Sequence, residues 1–359
     1  MKGKQGLVCM GLLLVLSSCH TGKQITASGL QRKDFQTEVN GQHTDLFTLS
    51  NKQGMEVCIT NYGARVVSIL VPDRNGKRED VVCGFSTITE YMEQRQNFGS
   101  TVGRYIGRIL NARFTLDGVE YKLVPNNGKS GHISHGGNPG FADRIWKVEQ
   151  ADTHRVRLSY LSPDGENGFP GNLKVTLVYS LGEDDNALDL TYEATTDAPT
   201  VLNLSHHSFF NISGNFTKSV EDQQLWVDAD RFTPYDDKKC VTGEYLQVAG
   251  TPLDFRMPHA IGECIDADHP QLKVVNGYDH TWELNTKGDD TRPAAWVYDP
   301  ASGRKMEIFT TEPGMQIYTG NGLKGKMTGK RGIAYPFRSA VCFETMHFQD
   351  SPNQPGFPS

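Results

Sequence analysis

Short runs in which apolar and polar residues alternate recur through this chain, and they restrict its fold more than any other feature. The clearest runs span residues 55–60, 65–71, 155–160, 173–179 and 187–193. Because side chains of a strand point alternately to its two faces, a period of two predicts strands with one buried face. Turn sequences rich in Gly, Asp and Pro lie between several of these runs. This spacing predicts an antiparallel β-sandwich or barrel.

The helical pattern is scarce by comparison. Only residues 86–94 predict a helix, of about two turns, with Ser86 or Thr87 as its N-terminal cap. No internal repeat or low-complexity linker follows residue 30. The sequence therefore predicts an all-β protein, in which residues 31–359 form one large antiparallel β domain.

The N-terminal segment predicts targeting rather than structure. A short basic start precedes an apolar stretch at residues 7–16, which is too short to cross a bilayer with margin. The following Leu-Ser-Ser-Cys resembles the lipobox of bacterial lipoproteins. We expect a lipoprotein signal peptide at residues 1–18, lipid attachment at Cys19 and a flexible tether over residues 19–30. The anchor would place the protein in the bacterial cell envelope, at the periplasmic face of a membrane. A plain secretory signal is the alternative.

Charge and cysteine content argue against several functions. The chain has 36 Lys and Arg against 42 Asp and Glu, a net charge of −6, and no basic block, so we expect no nucleic-acid partner. Of 7 cysteines, Cys9 in the signal peptide and Cys19 leave five. An odd number with wide spacing argues against a disulfide framework and a zinc site. Cys58, Cys83 and Cys342 lie in apolar runs and are expected to be buried thiols.

A tandem histidine, His206-His207, lies in an apolar segment at residues 201–212 that predicts a strand. Successive side chains of a strand face opposite ways, so one imidazole points inward and the other outward. A histidine among Leu, Phe and Ile titrates near neutral pH where water is scarce, which suits a general acid. The alternative is a core histidine bonded to a backbone carbonyl.

Two glycine-containing segments also interrupt the strand pattern. Residues 103–109 contain two arginines, and a guanidinium such as that of Arg108 can fork onto sugar hydroxyls or a carboxylate. The alternative is an ordinary surface arginine. Beside His135, Gly136 and Gly137 allow close approach of the backbone to a ligand, with a plain turn as the alternative.

Two carboxylates complete the set of polar candidates. Asp279 follows a turn and precedes Trp282, an arrangement in which the acid accepts from sugar hydroxyls and the ring stacks on the sugar. The alternative is a turn aspartate. Glu344 interrupts an apolar run, where a carboxylate is costly unless it is paired or functional. Glu344 is therefore a candidate base, with membership of a buried ion pair as the alternative.

A metal site is the weaker interpretation of the 11 histidines. No pair has the helical spacing of a zinc-protease motif, and His206 and His207 cannot both face one ion from a regular strand. His135, His207 and Glu344 would converge only by a coincidence of tertiary structure. We expect no metal and no cofactor. The absence of a Gly-x-Ser-x-Gly elbow argues against a serine hydrolase.

These segments, taken in order, resemble the aldose 1-epimerases, the galactose mutarotase family. The resemblance covers the chain from about residue 47 onward and is densest at residues 103–109, 135–137, 162–171, 192–197, 203–211, 277–280, 311–321 and 343–353. Several motifs in one order are far more specific than any one of them. The resemblance implies a large antiparallel β-sandwich, the galactose mutarotase-like supersandwich, in agreement with the strand pattern.

Carried over by position, the resemblance implies that His207 is the general acid and Glu344 the general base. It further implies that the sugar is held by Arg108, His135 and Asp279, and that Gln316 lines the site. Two positions depart from the pattern, because many members have Asn where this chain has Gly107 and His206. Each departure removes an amide and bears on substrate preference.

The implied activity interconverts the α and β anomers of free hexoses such as glucose and galactose. A base takes the proton of the C1 hydroxyl while an acid protonates the ring oxygen, so one carboxylate and one imidazolium suffice. Two alternatives remain open. A glycoside hydrolase would need two carboxylates across a scissile bond, for which Asp279 and Glu344 are the best pair. A non-catalytic sugar-binding lipoprotein would bind sugar without turnover.

Overall fold

The computed structural model describes residues 24–358, and strands dominate this part of the chain. In chain order the strands are β1 (Glu38–Val39), β2 (Gln42–His43), β3 (Leu46–Ser50), β4 (Glu56–Thr60), β5 (Arg65–Pro72), β6 (Arg78–Asp80), β7 (Ser100–Val102), β8 (Arg108–Ile109), β9 (Arg113–Leu116), β10 (Val119–Lys122), β11 (Ile133–Ser134), β12 (Lys147–Ala151), β13 (Arg155–Ser162), β14 (Leu173–Leu181), β15 (Leu188–Thr196), β16 (Ser205–His207), β17 (Phe209–Phe210), β18 (Gln224–Val227), β19 (Arg231–Thr233), β20 (Leu246–Gln247), β21 (His259–Ala260), β22 (Asp279–Glu283), β23 (Ala295–Tyr298), β24 (Lys305–Ile308), β25 (Gly314–Tyr318) and β26 (Val341–Met346). The α-helices are α1 (Ile88–Gln94) and α2 (Pro270–Val275). Short 3-10 helices span Arg32–Phe35, Leu110–Ala112, Gly128–Ser130, Phe141–Asp143, Glu166–Gly168, Ile261–Glu263, Lys330–Gly332 and Ser351–Asn353.

The strands form one six-stranded sheet, three four-stranded sheets and four short pairs. The six-stranded sheet has the order β17-β26-β25-β22-β19-β20. The four-stranded sheets are β3-β4-β5-β6, β12-β13-β14-β15 and β21-β18-β23-β24. Every ladder between these strands is antiparallel. The prediction of a large antiparallel β-sandwich is confirmed.

The β3–β6 sheet lies between two apolar layers. One face packs against β13 and β14, through residues such as Val57 and Leu177. The other face packs against a second cluster that includes Val67 and Phe209. As a result β4 is buried along its whole length and β5 along most of it. The expectation of one buried face is therefore wrong for these two strands, because a strand between two layers buries both faces.

The predicted elements are found close to their expected positions. The helix at residues 86–94 is confirmed as α1, and Thr87 caps it by accepting from the N–H of Glu90. The second helix, α2, was not predicted, because its 6 residues are too few to show a helical pattern; Asn276, which follows it, has a left-handed conformation. The strand expected at residues 201–212 is broken into β16 and β17, which pair with different partners.

The predicted signal peptide and Cys19 lie outside the described residues. Residues 24–30, the second part of the predicted tether, pack against the sandwich. Leu30 is buried, and the N–H groups of Ala27 and Ser28 donate to Oε1 of Glu56 over 2.7 and 3.3 Å. The expectation of a flexible tether is therefore wrong for this segment. No helix within residues 24–358 is both long enough and apolar enough to span a membrane.

Candidate active site

Two loops form one wall of a cavity because a short ladder holds them together. β8 and β11 pair beside Arg108, and the N–H of His135 donates to the carbonyl of Gly107 over 2.9 Å. Gly136 has a φ of +78°, and a Cβ there would lie 1.9 Å from the carbonyl oxygen of Gly103. Only glycine fits such an approach. At Gly136 the close approach is thus between two segments of the protein itself, while His135 of the same loop lines the cavity.

The two arginines of the first loop have different surroundings. Arg104 is 1 % exposed, and its guanidinium donates to Ser162 and Thr200 and to the backbone carbonyls of residues 162, 163, 170 and 171. Arg108 lines the cavity instead. Arg104 therefore holds the loop in place, and Arg108 is free to meet a ligand.

Three neighbouring strands of the six-stranded sheet form the floor of the cavity. Asp279 begins β22, Gln316 lies in β25 and Glu344 in β26. Gln316 is directly opposite Glu344, and its Nε2 donates to Oδ1 of Asp279 over 2.6 Å. Residues directly opposite each other share a face of a sheet, and Asp279 is opposite Tyr318, two residues along β25 from Gln316, so the ladder brings these three side chains to one face.

His207 reaches the same place from β16. Its side chain is 7 % exposed, and Nε2 lies 3.3 Å from Oε1 of Glu344. Its Nδ1 lies 3.7 Å from Sγ of Cys342. The His207 ring also contacts the rings of Phe209 and His135, with centroids 5.1 and 5.5 Å apart. The two groups that the resemblance implies for proton transfer are therefore in direct contact.

The cavity brings all six predicted site residues together in a volume of about 180 Å³. Its wall consists of Gly107, Arg108, Ser134, His135, His207, Asp279, Gln316, Tyr318, Glu344, Met346 and Gln349. This volume is below the range of pockets for drug-sized ligands, so it suits one small polar molecule. The roles of the six residues stay predictions.

Several residues of the site were not singled out from the sequence. Tyr318 and Gln349 are part of the cavity wall, Tyr235 bonds to two of the wall's amides, and Cys342 lies behind His207. A signal existed for Tyr318, two residues after Gln316 on β25, and for Cys342, two residues before Glu344 on β26, because alternate residues of a strand share a face. No comparable signal marks Tyr235 or Gln349, which come from loops.

Burial shifts the central pair towards its neutral forms. It raises the pKa of Glu344 to about 8, with a further increase from the nearby charge of Asp279 and an opposing effect of Arg108. It lowers the pKa of His207 to about 4. Their contact at 3.3 Å opposes both shifts, because it favours the ion pair. Between about pH 4 and pH 8 the pair holds one proton, whether that proton is on Glu344 or on His207. The pair therefore contains one acid and one base.

The polar groups around the pair are also shifted by burial. The pKa of His135 falls to about 3, with added effects of His207 and Arg108. Its Nδ1 accepts from the N–H of Gly107 over 3.4 Å, which assigns the proton of the neutral ring to Nε2 as a donor. Burial raises the pKa of Asp279, while Arg108 and the bond from Gln316 oppose the increase. The site thus offers both donors and acceptors.

His206 faces away from the cavity, as the alternation along a strand predicted. It is absent from the cavity wall, and its ring lies near that of Tyr179, with centroids 6.1 Å apart. Its Nε2 is buried without a hydrogen-bond partner. Burial lowers its pKa to about 3, with a further effect of His207. His206 is therefore a neutral packing residue.

Three possible metal ligands lie close together, although no metal site was expected. One donor atom each of His207, Cys342 and Glu344 lie within 4.8 Å of one another. His135, His207 and Glu344 do converge through the tertiary structure, since they line one cavity. Burial raises the pKa of Cys342 well above its ordinary value. The thiolate that binds soft metals tightly is thus disfavoured.

Known proteins share both the sequence and the fold. The profile of the family described as aldose 1-epimerase matches residues 45–359. A galactose mutarotase of Bos taurus is 40% identical over 313 residues, covering 87% of this chain and 88% of that protein. An aldose 1-epimerase of Escherichia coli K12 is 36% identical over 320 residues, covering 89% of this chain and 90% of that protein.

Solved structures give the same result. An aldose epimerase homologue from C. elegans superposes with a TM-score of 0.80 at 30% identity, covering 88% of this chain and 93% of that one. A galactose 1-epimerase from Lactobacillus acidophilus NCFM gives 0.75 at 29% identity, covering 86% and 88%. With a matching profile over most of its length and relatives of this similarity, the chain belongs to the aldose 1-epimerase family of isomerases.

Proposed function

We propose that this protein interconverts the anomers of free hexoses through the pair His207 and Glu344. The pair holds one proton, and when that proton is on His207, Glu344 takes the proton of the C1 hydroxyl while His207 gives its proton to the ring oxygen. The bond between C1 and the ring oxygen breaks and C1 becomes a carbonyl. Rotation about C1–C2 and the reverse transfers close the ring as the other anomer. Protons and electrons balance without a redox step.

The observation that carries this proposal is the 3.3 Å contact between Nε2 of His207 and Oε1 of Glu344 in the wall of the cavity. The C1 hydroxyl and the ring oxygen of an aldose are bonded to the same carbon. An acid and a base that serve both must therefore lie within a few ångströms of each other. A sugar entering between the two side chains would replace their mutual contact by one contact to each oxygen.

The remaining polar residues suit the binding of sugar hydroxyls. Arg108 and Nε2 of His135 supply donors, and the carboxylate of Asp279 supplies acceptors. A relative named galactose mutarotase at 40% identity favours galactose as a substrate. The small cavity disfavours a hydrolase, which must hold two sugar units around the scissile bond.

Polarimetry tests the proposal against the non-catalytic alternative. Freshly dissolved α-galactose and α-glucose are followed in the presence and absence of purified protein. Faster approach to the same final rotation supports the proposal. Sugar binding measured by calorimetry without any acceleration would instead identify a sugar-binding protein, and no effect with any hexose would remove the proposed substrate class.

We predict a bell-shaped dependence of kcat/KM on pH. Below about pH 4 both members of the pair are protonated and no base remains, and above about pH 8 neither is protonated and no acid remains. Activity should be highest between these limits and fall about tenfold per pH unit beyond them. Polarimetric rates from pH 3.5 to 9.5, corrected for the spontaneous reaction, measure the profile. A rate that is flat through pH 8 to 9.5 would contradict it.

We further propose that the protein is a lipoprotein of the bacterial envelope, anchored through Cys19 at the periplasmic face. The Leu-Ser-Ser-Cys sequence at residues 16–19, after a basic start and an apolar stretch, supports this proposal. The free hexoses of that compartment would then be its substrates.

Replacement of the lipidated residue tests the anchor. Cys19→Ser should prevent lipid attachment, so metabolic labelling with palmitate should be lost and the protein should move from the membrane fraction to a soluble or unprocessed form. Cys9→Ser is the matched control, because Cys9 lies within the predicted signal peptide. Equal labelling of the wild type and Cys19→Ser would disprove the anchor.

A further inference from the structure

The side chain of Gln349 fills the space beside Gly107 in the cavity wall. Gly107 has a φ of +74°, and a Cβ on it would lie 2.6 Å from Cγ of Gln349 and 3.2 Å from Cδ. A real Cβ does not approach another carbon so closely. The side chain of Gln349 therefore occupies the volume that a side chain at position 107 would fill.

Gln349 is held there by the same polar groups that surround the candidate sugar site. It is 5 % exposed, and its Nε2 donates to the hydroxyl of Tyr235 over 2.6 Å and to Oε1 of Gln316 over 3.3 Å. Gln316 in turn donates to Asp279. Asp350, the residue after Gln349, donates its N–H to the carbonyl of Arg108 over 2.8 Å. Gln349 is thus positioned from both the floor and the loop wall of the cavity.

The amide of Gln349 has one acceptor left for a ligand. Both of the protein bonds to its side chain described for residues 24–358 use Nε2. Since a carboxamide oxygen accepts up to two hydrogen bonds, Oε1 can receive a hydroxyl proton from a molecule in the cavity. Gly107 has no side chain with which to supply an equivalent group.

We propose that Gln349 positions the substrate and sets sugar preference, by accepting from a sugar hydroxyl at the side of the cavity formed by Gly107. This inference rests on the proposed function and adds a specificity residue to it. It makes two demands. The effect of Gln349 must depend on one hydroxyl of the sugar, and residues 107 and 349 must be interchangeable as sources of the amide.

Deoxy sugars test the first demand. Gln349→Met keeps the length of the side chain and removes the amide. For the preferred hexose we expect KM to rise about five- to twentyfold with little change in kcat, as for the loss of one hydrogen bond to a buried group. For the analogue that lacks the recognised hydroxyl, wild type and variant should have the same KM. Equal losses for every deoxy analogue would show a structural role only and overturn the proposal.

Exchange of the two positions tests the second demand. Gly107→Asn alone should lower both kcat/KM and Tm, because its side chain meets Gln349. In the Gln349→Ala background the same substitution should raise kcat/KM towards the wild-type value, since the space is open and Asn tolerates a positive φ better than most residues. Strictly additive losses in the double variant would overturn the proposal. Calorimetry of the same variants measures sugar affinity without catalysis. A failure of the proposed mutarotase activity can therefore be distinguished from a failure of the role proposed for Gln349.

Discussion

Glu344→Gln should reduce the rate of mutarotation by about 10²–10⁴-fold, because the amide cannot accept the proton of the C1 hydroxyl. The side chain keeps its size and can still accept a hydrogen bond, so KM should change much less than kcat. Polarimetry at neutral pH, with the spontaneous rate subtracted, gives both parameters. A variant with the full wild-type kcat would exclude Glu344 as the base.

Glu344→Gln should also change how the thermal stability of the protein depends on pH. Burial raises the pKa of Glu344 from its ordinary value of 4.5 to about 8. The folded protein therefore holds this proton more tightly than the unfolded chain, and its contribution to stability is lost as pH rises from about 4.5 through 8. Gln does not titrate, so the Tm of Glu344→Gln relative to that of the wild type should increase across this range. A relative Tm that falls as pH rises would contradict the shift.

His206→Asn is the matched control for substitutions in the pair. His206 is a neighbour of His207, and burial lowers the pKa of both rings, yet His206 faces away from the cavity. Its replacement should leave kcat/KM within about twofold of the wild type. A large loss of rate in this variant would show that burial alone, rather than position in the cavity, determines the effects of substitution.

Arg104→Met should destabilise the fold by about 3–5 kcal/mol, which is among the larger effects of a single substitution. The substitution leaves four backbone carbonyls and the hydroxyls of Ser162 and Thr200 without their donor. Each buried polar group that loses its partner costs about 1–3 kcal/mol, reduced by any water that enters. Urea unfolding followed by circular dichroism measures the loss. Unchanged stability would mean that these bonds are replaced without cost.

Arg108→Met separates function from folding within the same loop. Arg108 lines the cavity and makes one bond to a backbone carbonyl, that of Lys239 over 3.3 Å. Its replacement should change the free energy of unfolding by less than about 1 kcal/mol while lowering kcat/KM by about tenfold or more, because a charged donor to the sugar is lost. A loss of stability similar to that of Arg104→Met would contradict this division.

Local sequence patterns predicted the strands well because the alternation of apolar and polar residues within a strand shows which of its faces is buried. Residues 155–160 and 173–179 alternate, and they form parts of β13 and β14 with one buried face. The same rule separated His206 from His207. It failed for β4 and β5, since burial of the second face depends on a layer that comes from distant parts of the chain.

The convergence of the site could not be predicted from any one segment. Glu344 and Gln316 meet because β25 and β26 are adjacent in one register, and His207 comes from another sheet. Only the resemblance to a family joined these residues in advance. Gln349 was not predicted because its side chain occupies space that is open only since residue 107 is a glycine. Neither residue alone indicates this arrangement in the sequence.

If Cys19 carries a lipid as proposed, the docking of the N-terminal segment limits how far the enzyme can move from the membrane. Gln24 accepts from the N–H of Arg32, and Ala27 and Ser28 bond to Glu56, so the chain is attached to the sandwich from about residue 24 onward. With a lipid on Cys19, five residue steps separate the anchor from the body, a reach of at most about 18 Å even when fully extended. The enzyme would then work within a thin layer at the bilayer surface.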